Sequence, residues 1–168
     1  MAKPISQDSR SAMERARFFL TKAKECTVGF RVDFEAYLEA SIIFGRSVLH
    51  RLQSEHKQNP NFKTWWDSLE EDISVNFFRE HRNIILKEGP PKIGQIISMP
   101  LIKIPVKLGG DTSTNELDEI DDSESKAEES YNASDLYYFE DPSIPATETV
   151  EKHLDQLEQH IRTYLKTS

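Results

Sequence analysis

Apolar residues recur at helical spacing in four segments of the chain. In the first, Ala12, Ala16, Phe19, Ala23 and Cys26 follow one another at intervals of four, three, four and three, which is one stripe along a helix. Ser9 stands where an N-cap is expected and Gly29 where a helix stops. In the second, Asp33 is placed to cap a helix whose stripe is Phe34, Leu38, Ile42, Gly45, Leu49 and Leu52. Ile43 and Val48 widen that face, which assigns this helix the central place in a bundle. The third opens on Asn59-Pro60, a capping residue followed by proline at the first helical position. Its stripe is Phe62, Trp66, Leu69, Ile73, Phe77 and Ile84 with Ile85, and Gly89-Pro90-Pro91 ends it. Its acids (Asp67, Glu70, Glu71, Asp72) come early and its bases (Arg79, Arg82, Lys87) late, as the helix dipole prefers. The last follows Thr147 and carries Val150, Leu154, Leu157, Ile161 and Leu165 on one side. The pattern predicts helices over about residues 9–28, 33–56, 60–88 and 147–166.

Between the third and fourth helices the pattern changes. Residues 96–108 are β-branched and partly alternating, but Pro100 and Pro105 cannot donate to a ladder, so an edge strand or an extended segment is expected. Leu136-Tyr137-Tyr138-Phe139 is a second strand candidate. Together they predict a two-stranded ribbon inserted over about 94–140, too small to stand alone and therefore laid against the bundle. Residues 111–130 hold nine acids against Lys126, which accounts for the whole net charge of −8. With so few apolar groups this loop is expected to be disordered, and the rest of the chain is formally neutral. The predicted class is all-α: one domain over residues 1–168, an antiparallel up-and-down bundle of four main helices with the small β-ribbon inserted.

Length and composition agree with that picture. A chain of 168 residues buries roughly 70% of its unfolded surface, and its 37% apolar content leaves some residues outside the core. The single cysteine, Cys26, excludes an internal disulfide and any multi-cysteine metal site, and fits a reducing compartment. No stretch approaches the ~20 apolar residues that span a bilayer, and the first residues lack the apolar region of a secretory signal. A cytosolic protein without membrane association is expected.

Familiar chemistries are mostly missing. None of the five histidines has a glutamate three positions before it, and no two are four apart, so neither helical metal-binding pattern is present. No Gly-x-Ser-x-Gly elbow occurs, and Cys26 lies on an apolar stripe, where a buried, inert thiol is the usual outcome. Six glycines form no phosphate-cradling loop. Trp66, at helical spacing with Phe62 and Leu69, reads as core rather than as a stacking platform. The acidic run lacks the residue order of a calcium loop. Neither a metal nor any other cofactor is expected.

The stretch that carries most information is Phe77-Phe78-Arg79-Glu80-His81-Arg82-Asn83-Ile84-Ile85-Leu86-Lys87-Glu88-Gly89. It resembles the end of the third helix in HEPN-like proteins, where an Arg-Asn pair is followed by a histidine at the helix terminus. Residues 40–49 and the run Phe62-Lys63-Thr64-Trp65-Trp66 are similar to the corresponding stretches of such proteins, so the resemblance covers roughly residues 9–90. It implies a homodimer. In many HEPN-like proteins it also implies metal-independent ribonuclease activity, with arginine and histidine from two chains meeting at the interface. Arg82 and Asn83 match that pattern; the histidine does not. Lys87 stands at the nearest of its spacings, and Glu88 and Gly89 fill the longer ones. A lysine of ordinary pKa, near 10.4, is charged at neutral pH and accepts no proton. His81, next to Arg82, lies about 100° around the helix. Phosphate binding by Arg79, Arg82, Asn83 and Lys87 survives this objection, whereas acid–base catalysis loses its proton carrier. The expected protein is therefore a non-catalytic HEPN-like bundle that binds a nucleotide, RNA or a protein partner at the basic end of the third helix. The alternatives are a pure interaction or antitoxin-type bundle and an endoribonuclease with an unusual proton carrier.

Overall fold

The structure, a computed structural model, describes residues 7–27, 30–95 and 136–167. Five helices and a two-stranded ribbon follow in the order α1 (Gln7–Glu25), α2 (Arg31–His56), α3 (Pro60–Ser68), α4 (Ile73–Glu88), β1 (Gly94–Gln95), β2 (Tyr137–Tyr138) and α5 (Ala146–Thr167). The fold is an all-α bundle with a small inserted ribbon, as the periodicity predicts. The acidic loop and strand candidate 96–108 lie outside the described residues, as does Gly29.

The small stripe of α1 explains its pairing with α2. Ala12, Ala16 and Ala23 are fully buried, and with no bulk on that face Ser41 reaches across to donate a hydrogen bond to Ala16 O at 2.8 Å. Ser9 Oγ meets Glu55 Oε2 at 3.0 Å, so the two helices run antiparallel. Helix α1 also runs antiparallel to α5, with Arg17 on Asp155 and Glu158 and Lys24 on Glu151. The whole predicted stripes of α2 and α5 are buried, and α2 touches α1, α4 and α5. Of the two residues that widen the α2 face, Val48 is buried by the chain itself and Ile43 is half-buried.

Two expected caps and one expected helix start differ from the structure. Ser9 lies inside α1, which begins at Gln7, and its hydroxyl serves the α2 contact. Asp33 sits in the first turn of α2, whose N-cap position is Phe30 with no side-chain bond. Thr147 is inside α5, buried at its first turn. Asn59 behaves as expected: its Oδ1 accepts from Asn61 N at 3.0 Å, while its Nδ2 donates to the Tyr164 hydroxyl at 3.2 Å. Gly89 ends α4 with φ of 104°, a conformation glycine adopts freely.

The largest correction concerns the expected single helix over 60–88. It is two helices, broken at Leu69–Asp72. Asp72 causes the restart: its Oδ1 accepts from Ser74 N and Val75 N, each at 3.0 Å, and so competes with continuation of the preceding helix. Its other oxygen meets His160 Nε2 of α5 at 2.8 Å, which fixes the break to the bundle. Ile73, expected on the stripe, is thereby left 78% exposed at the start of α4. Helix α3 is held by aromatic contacts: Phe62 is buried, and Trp65 packs on the Tyr164 ring at a centroid distance of 4.7 Å.

The ribbon is antiparallel, with Gly94 opposite Tyr138 and Gln95 opposite Tyr137. Tyr137 is buried and stacks on Phe34 at 4.7 Å, and Phe139 meets the edges of Phe77 and His81, so the ribbon lies against the bundle. Cys26 is buried, and burial raises its thiol above the ordinary value, as expected of an inert cysteine.

Helices α2 and α4 meet where a side chain is missing. A methyl built on Gly45 would sit 2.5 Å from Phe78 Cε1 and 2.8 Å from Cδ1, and the Phe78 ring is fully buried. The variant Gly45→Ala should therefore lose about 1–2 kcal/mol in urea denaturation. Overpacking of up to ~3 kcal/mol outweighs the ~1 kcal/mol that alanine gains in helix propensity. The same change in a Phe78→Leu background should cost clearly less.

A second prediction concerns acid. His153 is stacked on Phe77 at 4.1 Å with Nδ1 2.9 Å from Ser74 Oγ. Burial, reinforced by Lys152 and His81 against the weaker pull of Asp72, lowers its pKa from 6.5 to about 4. Between those values the unfolded chain binds a proton that the folded chain refuses. Stability is thus full above about pH 6.5 and falls as the pH drops toward 4, by up to about 3 kcal/mol. Chemical denaturation across that range should show the loss, and His153→Gln should flatten it.

Candidate phosphate-binding site

The residues singled out in the sequence lie on α4. Arg79 and Arg82 are three apart and share a face. Asn83 is exposed and its Oδ1 accepts from Arg82 Nη1 at 3.3 Å. Lys87 is exposed in the last turn, about 140° around the helix from Arg82. His81 points away from this group: its Nδ1 bonds Phe77 O at 3.0 Å and its ring lies 4.1 Å from that of Phe77.

The fold adds two groups that linear reading misses. Arg46 and His50 occupy successive turns of α2, and the tight Gly45–Phe78 contact sets the neighbouring positions 46 and 79 side by side. Arg46 is half-buried, and its guanidinium is held below its ordinary pKa by burial first and then by the charges of Arg79 and Arg82. His50 is lowered in the same way, by burial and then by Arg46 and Arg82. Four groups from two helices thus meet, and Arg46 and His50 feel the positive charge of the arginines beside them.

Three arginines gather here without a carboxylate partner; among the described residues Arg15, over the Phe44 ring, and Arg51, on the Asp8 carbonyl, also lack one. Arg10, Arg17, Arg31 and Arg162 each hold a carboxylate. Among the described residues, Arg46, Arg79 and Arg82 hold none. Beside them, in the bend between α3 and α4, Arg46 and Arg79 help to line a cavity of about 270 Å³ with Trp66, Asp67, Leu69, Glu70 and Val75. Trp66, expected in the core, is only half-buried there. The one sequence clue to Arg46 and His50 was their spacing beside the glycine of the α2 stripe.

Chemically the cluster offers planar, permanently charged forks for phosphate oxygens and one neutral imidazole. Among the described residues no group of His, Cys, Asp or Glu could hold a metal ion, and no helix is long and apolar enough to cross a membrane.

A cluster that repels itself should be a local liability until an anion arrives. In low salt, Arg82→Gln should leave the melting temperature unchanged or slightly raised. Added salt should raise the melting temperature of the parent more than that of the variant, because screening relieves repulsion that the variant lacks. A clear loss of stability in Arg82→Gln at low salt would contradict the repulsive arrangement.

Compared with protein families, with curated proteins and with solved structures, the chain matches none.

Proposed function

We propose that this chain is a non-catalytic bundle of the HEPN-like kind that binds the phosphate backbone of RNA through Arg46, Arg79 and Arg82, with Asn83 and Lys87 at the margin. The observation that carries the reading is the gathering of three guanidiniums across α2 and α4 with no carboxylate on any of them. Such a surplus costs stability in the free protein and is offset when phosphates enter. Lys87, at the position of the family's histidine, is exposed and brings no proton acceptor, which supports binding over cleavage. The homodimer implied by the resemblance belongs to the same proposal and is read as mass in sedimentation.

One observation favours a second reading, that of an endoribonuclease. His50, held below its ordinary pKa beside Arg82, is a neutral imidazole at pH 7 and offers the ring nitrogen that Lys87 lacks. A protein that only docks other proteins would need neither feature.

Fluorescence anisotropy of a labelled single-stranded RNA separates the three. Under the proposal, binding weakens steeply with salt. Arg82→Ala lowers both the affinity and the salt slope, the slope by about 0.7 for each phosphate that the variant leaves without a cation. Arg10→Ala, exposed on α1 and paired with Glu14, serves as the unaffected control. Absence of salt-sensitive binding selects the interaction protein. Turnover of the RNA, abolished in both His50→Ala and Arg82→Ala, selects the nuclease.

A further inference from the structure

We infer that the cavity in the bend between α3 and α4 receives a guanine base, so that the RNA held by the arginines is read at a guanine nucleotide. This rests on the phosphate-binding reading above and extends it from the backbone to a base.

The cavity combines three kinds of wall. Trp66 supplies an aromatic surface and packs on Phe62 at a centroid distance of 5.5 Å. Arg46 and Arg79 supply guanidinium donors, and Asp67 and Glu70 supply carboxylate acceptors. Opposite charges that line so small a space would ordinarily close on one another. Here they do not. Asp67 is engaged by Lys63 at 2.7 Å, and among the described residues Glu70 forms no ion pair although two unpaired arginines share its cavity. A guest bound there would have to satisfy both walls at once.

The guest must present donors to a carboxylate and acceptors to a guanidinium. A carboxylate only accepts, and a guanidinium only donates. Guanine sets N1–H and the N2 amino group side by side, two parallel donors for one carboxylate, and sets O6 and N7 on the adjoining edge as two acceptors for an arginine. Adenine and cytosine put a ring-nitrogen lone pair beside their amino group, which a carboxylate repels. Uracil flanks its single N–H with carbonyls. The remaining guanidinium is left for the 5′-phosphate, and the indole stacks on the base. Size agrees: about 270 Å³ falls just below the range of ~300–1,000 Å³ typical of sites for larger ligands and suits one base.

The test titrates the full chain with guanosine, adenosine, cytidine and uridine 5′-monophosphates, following tryptophan fluorescence, with the RNA anisotropy measured in parallel. Guanosine monophosphate should quench the emission and bind roughly tenfold or more tightly than the other three. Glu70 is exposed, so Glu70→Gln should fold normally while the preference for guanine collapses. Trp66→Leu should remove the quench, with circular dichroism reporting whether the variant is folded. Equal binding of all four nucleotides, or a preference unchanged in Glu70→Gln, overturns the base pocket. If RNA still binds with its salt dependence in that case, the phosphate reading stands and the pocket alone fails. If guanosine monophosphate binds selectively while RNA does not, the pocket stands and the RNA reading fails.

Discussion

Gly45 leaves a gap on the most crowded helix of the bundle, and the ring of Phe78 fills it. Much else depends on that contact. It sets the separation of α2 and α4 at a value no side chain at position 45 would permit, and Phe78 is consequently buried without remainder. The residues one step along each helix, Arg46 and Arg79, inherit the short separation. Two guanidiniums that a wider helix packing would keep apart are thus held within each other's field. The core contact is apolar and steric, and its consequence at the surface is electrostatic.

The fold was largely legible because burial is periodic. Every predicted stripe residue of α2 and α5 is buried, and the second strand candidate pairs as a ribbon, though with Gly94–Gln95 just before the first candidate. What was not legible depended on side chains bonding to backbone. Asp72 reads as one of several acids suited to the N-terminal half of a long helix. Nothing in the linear pattern says that its oxygens cap Ser74 and Val75 and reach His160, 88 residues away. The cluster was half legible for the same reason. Arg79 and Arg82 lie in a motif, whereas Arg46 and His50 join them only through the crossing of two helices.

The break at Asp72 matters for the site as well as the fold. An unbroken helix from 60 to 88 would carry Trp66, Asp67 and Glu70 straight past Arg46. Folding back at Leu69 instead gathers these side chains around the cavity that Arg46 and Arg79 close. An acid whose local role is to cap a helix thereby shapes a surface it does not itself line. His160 ties that cap to α5, so the position of the bend is fixed by the bundle rather than by the short helix before it.

Two histidines in this protein sit below their ordinary pKa, both chiefly through burial, and they differ in the charges that add to it. His153 is held down by burial against Phe77, and no ligand at the surface would change that much. His50 is held down by burial first and then by Arg46 and Arg82, whose charges a bound phosphate would neutralise. Linkage then requires a reciprocal effect: an anion that raises the proton affinity of His50 binds more tightly as the pH falls. The added charge of the imidazolium would act together with the arginines rather than against them once the phosphate is in place. The cluster is therefore poised to recruit a further positive charge on binding. Under the phosphate-binding proposal, that response would favour a polyanion.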